Sequence, residues 1–313
     1  MDGEKFLKNV VQFPFCSLVS LYFISLLVSS ILAPLIFNLV VYWDRYYTCD
    51  LTVYCLGKGF VIFFERIRLI SFLCFFPLLW KIYRQQLAKR PLNAWNMGMF
   101  LRFWAMGSML IFFIFGIKML CLRFSWNALS YWFIVKSLLG AILIAFLEEW
   151  LFRGLILNIL LQNGKTFFAT LFSSFIFAYF HFRPNYRIDS PQTVATLADG
   201  FHCFYEVVFH SLVGISWVKF LILFAVGYFL AMFYVYVQEL EAPIGLHGGI
   251  VVSLTIFRRC INFSETHSFW GSNDLLNSPC ALVLIIFIIL LTHFYYFCCR
   301  RPFNGNCPMG LRS

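Results

Sequence analysis

The chain has 313 residues, 61% of them hydrophobic and only 12% charged, and its mean hydropathy is +0.81. That balance excludes a soluble globular domain and a disordered chain, and leaves a polytopic membrane protein. The net charge of +10 falls on loops between apolar stretches and forms no basic patch interleaved with polar residues, so it reads as membrane topology and argues against nucleic acid as a partner.

Lys5 and Lys8 precede the apolar stretch 13–43, which is too long for the h-region of a secretory signal and is followed by no small-residue cleavage site, so it is expected to be an uncleaved first span. Further apolar stretches lie at 60–81, 97–118, 128–162, 166–182, 217–238, 242–257 and 280–299, which makes about eight spans and an all-α fold. Glu65, Arg66 and Arg68 interrupt the second stretch. The fourth is longer than a bilayer needs and has to tilt or project from it. With 41 phenylalanines, much of the surface between helices and against lipid is aromatic, which is a matter of packing. No internal repeat or second soluble domain is visible. The expected division is an N-terminal group of membrane helices at 1–127, a catalytic core at 128–257, and a loop, last helix and basic tail at 258–313.

Lys81, Arg84, Lys89 and Arg90 fall between the second and third spans, and Arg300 and Arg301 follow the last. A multi-pass chain with both termini in the cytoplasm puts all six inside. Glu239 and Glu241, on an inner loop in this scheme, and Arg258 and Arg259, on an outer one, run against it. The 11 cysteines show no CxxC spacing, so a zinc finger or redox dithiol is not expected. Cys49, Cys55, Cys260 and Cys280 lie on the outer side, where pairs can oxidise if the compartment permits. Cys298 and Cys299 adjoin the inner interface, as buried thiols or acylation sites.

The chemistry concentrates in AILIAFLEEWLFRGLILNILL at 141–161, where Glu148, Glu149 and Arg153 interrupt an otherwise apolar helix. An ionisable group at membrane depth costs about 2.5–3.5 kcal/mol on insertion scales, so such groups face cavities and do chemistry or transport. On an α-helix Glu149 and Arg153 share a face and are expected to pair, whereas Glu148 points elsewhere and stays available to a water or a metal. Similar numbers of residues separate the turn at Asn163 and Gly164 from Glu148 on one side and His181 on the other. A helical hairpin therefore returns His181 to the depth of Glu148. Phe177, one turn earlier, lies on the face of His181, where it limits rotation or excludes water. His247 follows Pro243 and precedes Gly248 and Gly249, which allow close backbone approach. Two glutamates, an arginine and two histidines lie in one apolar chain, and histidine and carboxylate are the groups that activate water. His202, Glu206 and His210, spaced i, i+4, i+8, form a second cluster that could bind a metal or simply face solvent.

EEWLFR at 148–153, FAYFH at 177–181 and APIGLH at 242–247 resemble, in order, the EExxxR, FxxxH and last-histidine motifs of the CPBP intramembrane proteases. That family includes the type II CAAX prenyl endopeptidases and the bacterial bacteriocin-processing or immunity (Abi) proteins. The resemblance, over roughly 128–257, implies a CAAX-protease-like helical core in which Glu148 activates water, His181 helps to hold it, His247 stabilises the oxyanion, and Glu149 and Arg153 support the site. The substrate it implies is a peptide or a lipid-modified protein, met among membrane lipids near the interface. One position departs: Val251 stands where the family places Asn or Asp, and valine donates nothing to an oxyanion. Whether the chemistry uses a cofactor stays open. Either none is needed, or Glu148, His181 and His247 form a His2Glu zinc set. The HExxH, GxSG and GxGD signatures of other proteases are absent. A non-catalytic scaffold or immunity-type protein on the same fold is the alternative that Val251 favours. A proton-coupled transporter lacks the matching broken half.

Overall fold

Phe60, Phe63 and Phe64 recur at helical spacing, and that face nucleates a core. In the computed structural model, which describes residues 14–47, 59–75, 77–78, 80–81, 95–163, 165–181, 194–210, 216–264, 269–270 and 275–299, these residues fall into two compact units. One takes its residues from 1–95, 151–169 and 179–215, the other from 96–150, 170–178 and 216–313.

The first unit is built on α1 (Pro14–Tyr46), α2 (Phe60–Leu73) and α7 (Leu197–Tyr205), which ends in a π-helical turn at Glu206–His210. Phe37 of α1 meets Phe60 and Phe63 edge-on at centroid distances of 5.4 and 5.5 Å, and Leu26, Ala33, Phe64, Cys203 and Val207 complete a dry cluster. Ser25, Ser29 and Ser30 are fully buried on α1, each hydroxyl donating to a carbonyl about one turn back, which removes the cost of an unmatched polar group. Asn38 clasps the approach to α7 by bonding both backbone groups of Ala195 at 2.7 Å. Thr196 and Asp199 then form a capping box. A Cβ on Gly200 would lie 2.0 Å from the Ser30 carbonyl oxygen, so only glycine lets α7 cross α1 there. Cys49, Cys55, Arg84, Lys89 and Arg90 lie outside the described residues.

The second unit holds α3 (Met97–Cys121), α4 (Tyr131–Glu149), α8 (Trp217–Val237), α9 (Glu241–Cys260) and α10 (Pro279–Cys299). Asn96 caps α3 by accepting from Met99 N at 3.0 Å, and its own N–H donates to Glu241 at 3.1 Å. Helices α3 and α9 run parallel and nearly touch. A Cβ on Gly107 would meet the Leu246 carbonyl oxygen at 2.1 Å, and one on Gly249 the Trp104 carbonyl oxygen at 2.1 Å. A short antiparallel ribbon, β1 (Phe124–Trp126) on β2 (Ile261–Phe263), ties the ends of these helices and is the departure, among the described residues, from an all-helical fold. Lys118 is buried beneath it, its Nζ 4.5 Å from the Phe263 ring centroid, a cation–π contact that offsets part of its desolvation. At the other flank His293 of α10 stands between Tyr228 and Tyr236 of α8, at 3.0 and 2.9 Å. Cys260 and Cys280 carry free thiols.

Among the described residues, four helices are long and apolar enough to cross a membrane: Cys16–Tyr46, Met97–Cys121, Tyr131–Gln162 and Trp217–Val237. Thr166–Phe180 and Pro279–Tyr295 are apolar but shorter. Of the remaining expected spans, 60–81 contains the 14-residue α2, whose Arg68 pairs with Glu65, and 242–257 forms α9, which carries Glu241, Arg258 and Arg259 at its ends. The long fourth stretch changes its winding. After Glu149 the backbone is π-helical over Trp150–Leu157, returns to α5 (Asn158–Asn163), and turns into α6 (Thr166–Phe180).

Candidate active site

The last two residues of α4 are Glu148 and Glu149, adjacent in sequence but unlike in setting. Glu149 is fully buried, whereas the side chain of Glu148 is 29% exposed. Both reach the imidazole of His247. Its Nδ1 lies 2.8 Å from Glu149 Oε1, a hydrogen bond, and its Nε2 lies 3.8 Å from the buried Glu148 Oε2, too far for a direct bond.

The local sequence explains why His247 is there. It lies early in α9, between Leu246, whose carbonyl abuts Gly107, and Gly248, where a Cβ would strike the Trp104 ring at 2.3 Å. Close packing of α9 on α3 thus fixes the helix that carries the imidazole, while α4 packs on α9 and presents the two carboxylates. The third wall is Phe177, whose ring stands edge-on to the imidazole at 5.8 Å and 70°. Gly227 of α8 makes room for it, since a Cβ there would lie 2.9 Å from Phe177 Cδ1.

Of the residues singled out in the sequence, Glu148, Glu149, Phe177, His247 and Val251 belong to the second unit, and Glu148, Glu149 and Phe177 meet at His247. Arg153 and His181 belong to the first. Arg153 is fully buried in the π-helical stretch, its guanidinium carbon 5.9 Å from the Phe152 ring centroid, and His181 is half-buried at the turn after α6. Val251, half-buried one turn beyond His247, accepts at its carbonyl from the Thr255 hydroxyl at 2.7 Å.

One expectation changes: Glu148 and Glu149, expected to face different partners, approach the two nitrogens of one ring. The Glu149 contact reaches a residue 98 positions away in the chain. The stretch that follows Glu149 is π-helical, with i→i+5 bonds and a smaller rise per residue than the α-helix expected there. In the second cluster His202 Nε2 lies 4.0 Å from Glu206, with His202 about half exposed, and the π-helical winding from Glu206 to His210 breaks the i, i+4, i+8 row.

Residues 130–253 match the model of the Rce1-like family, type II CAAX prenyl endopeptidases. The segment is thus similar to that family. No curated protein and no solved structure matches the chain. The Rce1-like segment contains α4, α8 and most of α9, hence Glu148, Glu149, His247 and Val251, and at family level it supports a CAAX-type membrane protease. A catalytic zinc takes three protein ligands, and among the described residues no group of three or more His, Cys, Asp and Glu is placed to hold a metal. The described donors therefore do not fit zinc as they stand, and no step below passes through a metal.

Proposed function

We propose that the chain is an intramembrane endopeptidase that hydrolyses a peptide bond of a peptide or lipid-modified protein at the membrane interface. Glu148 is its general base, with His181 and His247 at the reacting atoms and Glu149, Arg153 and Phe177 as support. The observation that carries this reading is the pair of unlike carboxylates around one imidazole. Glu149 is sealed and bonds the ring at Nδ1, whereas Glu148 is partly exposed and turns a buried oxygen, Oε2, toward Nε2 at 3.8 Å. General base catalysis needs an oriented partner and an accessible carboxylate, and a scaffold needs neither. The role of His181 rests on the FxxxH resemblance at 177–181.

The second reading, a non-catalytic scaffold on the same fold, is favoured by Val251, which offers no side-chain donor where the family has an amide or carboxyl. The two separate in one experiment with purified protein and a panel of prenylated and unmodified peptides. The endopeptidase reading expects wild-type cleavage that is lost in His247→Ala. The scaffold reading expects no cleavage by either protein and an intact cellular role for His247→Ala.

A further inference from the structure

We propose that Tyr22, on α1 and outside the Rce1-like segment, is a positioning residue that fixes the turn carrying His181. The inference rests on the endopeptidase reading and deepens it, because it gives an N-terminal helix a part in placing a residue of the reacting centre. Within the first unit, two of the residues that the motifs assign to the site each follow a phenylalanine: Arg153 follows Phe152, and His181 follows Phe180. The two phenylalanine rings meet edge-on, 6.1 Å apart at 67°. The π-helical stretch and the end of α6 are thus joined one residue before each functional side chain. Tyr22 closes on Phe180 at 4.8 Å and 75°, the tighter of the two contacts.

Edge-to-face rings set orientation as well as distance, and tyrosine adds a polar tip to an apolar body. The ring of Tyr22 packs on Phe180, while its hydroxyl lies in the field of Arg68, Tyr179 and Glu65, of which Arg68 and Glu65 form an ion pair on α2. Phe23 and Ile24, the next two residues of α1, are exposed and suit lipid, whereas Tyr22 is half-buried. His181 extends directly from Phe180 at the turn after α6, so a shift of that ring moves the imidazole with it. Successive side chains on a helix diverge by about 100°, so Phe180 can be pinned without its ring filling the space that His181 needs. Tyr22 acts through Phe180 and has no part in the chemistry itself.

Tyr22→Leu keeps apolar bulk but loses the ring, and Tyr22→Phe keeps the ring. In the full-length protein in lipid nanodiscs, Tyr22→Leu is expected to lower kcat for peptide cleavage by about 10- to 100-fold with KM unchanged, the scale of a misplacement of about 1 Å. Tyr22→Phe is expected to recover most of that rate. An unchanged kcat in a folded Tyr22→Leu protein, or a Tyr22→Phe protein as slow as Tyr22→Leu, would overturn the proposal. A second measurement does not need cleavage: ¹⁵N-histidine NMR of the same proteins, with the His181 and His293 signals identified by their absence from His181→Asn and His293→Asn. In Tyr22→Leu the His181 signal is expected to shift or broaden, while that of His293, held in the second unit between Tyr228 and Tyr236, stays in place. A His181 signal that does not move, or one that moves together with that of His293, would overturn the proposal. A wild-type protein that cleaves nothing would contradict the endopeptidase reading, and the spectra would still decide whether Tyr22 places His181.

Discussion

Val251 is the residue at which this chain departs most from the motifs it otherwise carries, and its place on α9 makes the departure testable. It lies one turn beyond His247, half-buried, so a polar side chain there points along the same face as the imidazole. Val251→Asn is expected to raise kcat on any cleavable peptide, because one well-aimed donor to an oxyanion is worth about 2.7–4 kcal/mol in the transition state. A steady-state assay that finds no gain in a folded variant would show that the oxyanion is served from elsewhere, the backbone N–H groups near Gly248 and Gly249 being the nearest source. A second prediction at this scale concerns metal. Two carboxylates and one imidazole suffice for base catalysis, so activity is expected to survive thorough chelation. One zinc per chain by elemental analysis, with activity lost on its removal and restored on its return, would establish a metalloenzyme instead.

The helices are positioned by glycines more than by large side chains. At Gly249 a Cβ would lie 2.1 Å from a backbone oxygen of α3, which cannot rotate away, so Gly249→Ala is expected to part α3 from α9. The cost is expected at the upper end of, or above, the ~1–3 kcal/mol typical of overpacking, and His247 would move with the helix. Gly140, on α4, has nothing within 4 Å of its Cβ position, and Gly140→Ala is expected to leave stability unchanged or raise it by up to about 1 kcal/mol through helix propensity. Thermal unfolding of the two variants side by side checks both. Gly248 and Gly249 could be read in advance as a site of close approach, because small residues in an apolar helix have few other uses. Their partners, Trp104 and Ser108, could not, since nothing local in α3 marks which face meets α9. The same limit hid the contact of Glu149 with His247. Periodicity shows what shares a face within one helix, but the His247 contact joins two helices far apart in sequence. The π-helical winding at Trp150–Leu157 left no sequence signal that period-3.6 reasoning could detect, although π-helical turns often occur at functional sites.

For the whole molecule, composition alone was sufficient to assign a membrane protein. The exposed Leu138, Leu139, Ile142, Leu143 and Phe146 along α4 would form an untenable patch in water and suit lipid. Orientation is less legible, because charge does not segregate cleanly. Lys118, Arg123, Arg258 and Arg259 gather at the ribbon end of the second unit, and Glu239 and Glu241 at the opposite end of α9. We propose that both termini are cytoplasmic and that the ribbon faces the other side. In sealed vesicles of known orientation Ser125→Cys, at an exposed ribbon position, is then expected to react with an impermeant maleimide only from the non-cytoplasmic side. Reaction from the cytoplasmic side alone would invert the scheme.

The proposed chemistry depends on Glu148, the partly exposed carboxylate 3.8 Å from His247 Nε2. The most direct measurement is cleavage of the peptide panel by purified wild-type and Glu148→Ala proteins in lipid nanodiscs, with thermal unfolding of both in parallel. The expected result is wild-type turnover that Glu148→Ala abolishes while the unfolding temperature holds or rises, since the change removes the base and also the cost of a carboxylate at membrane depth. Near wild-type cleavage by a normally folded Glu148→Ala protein would contradict the account.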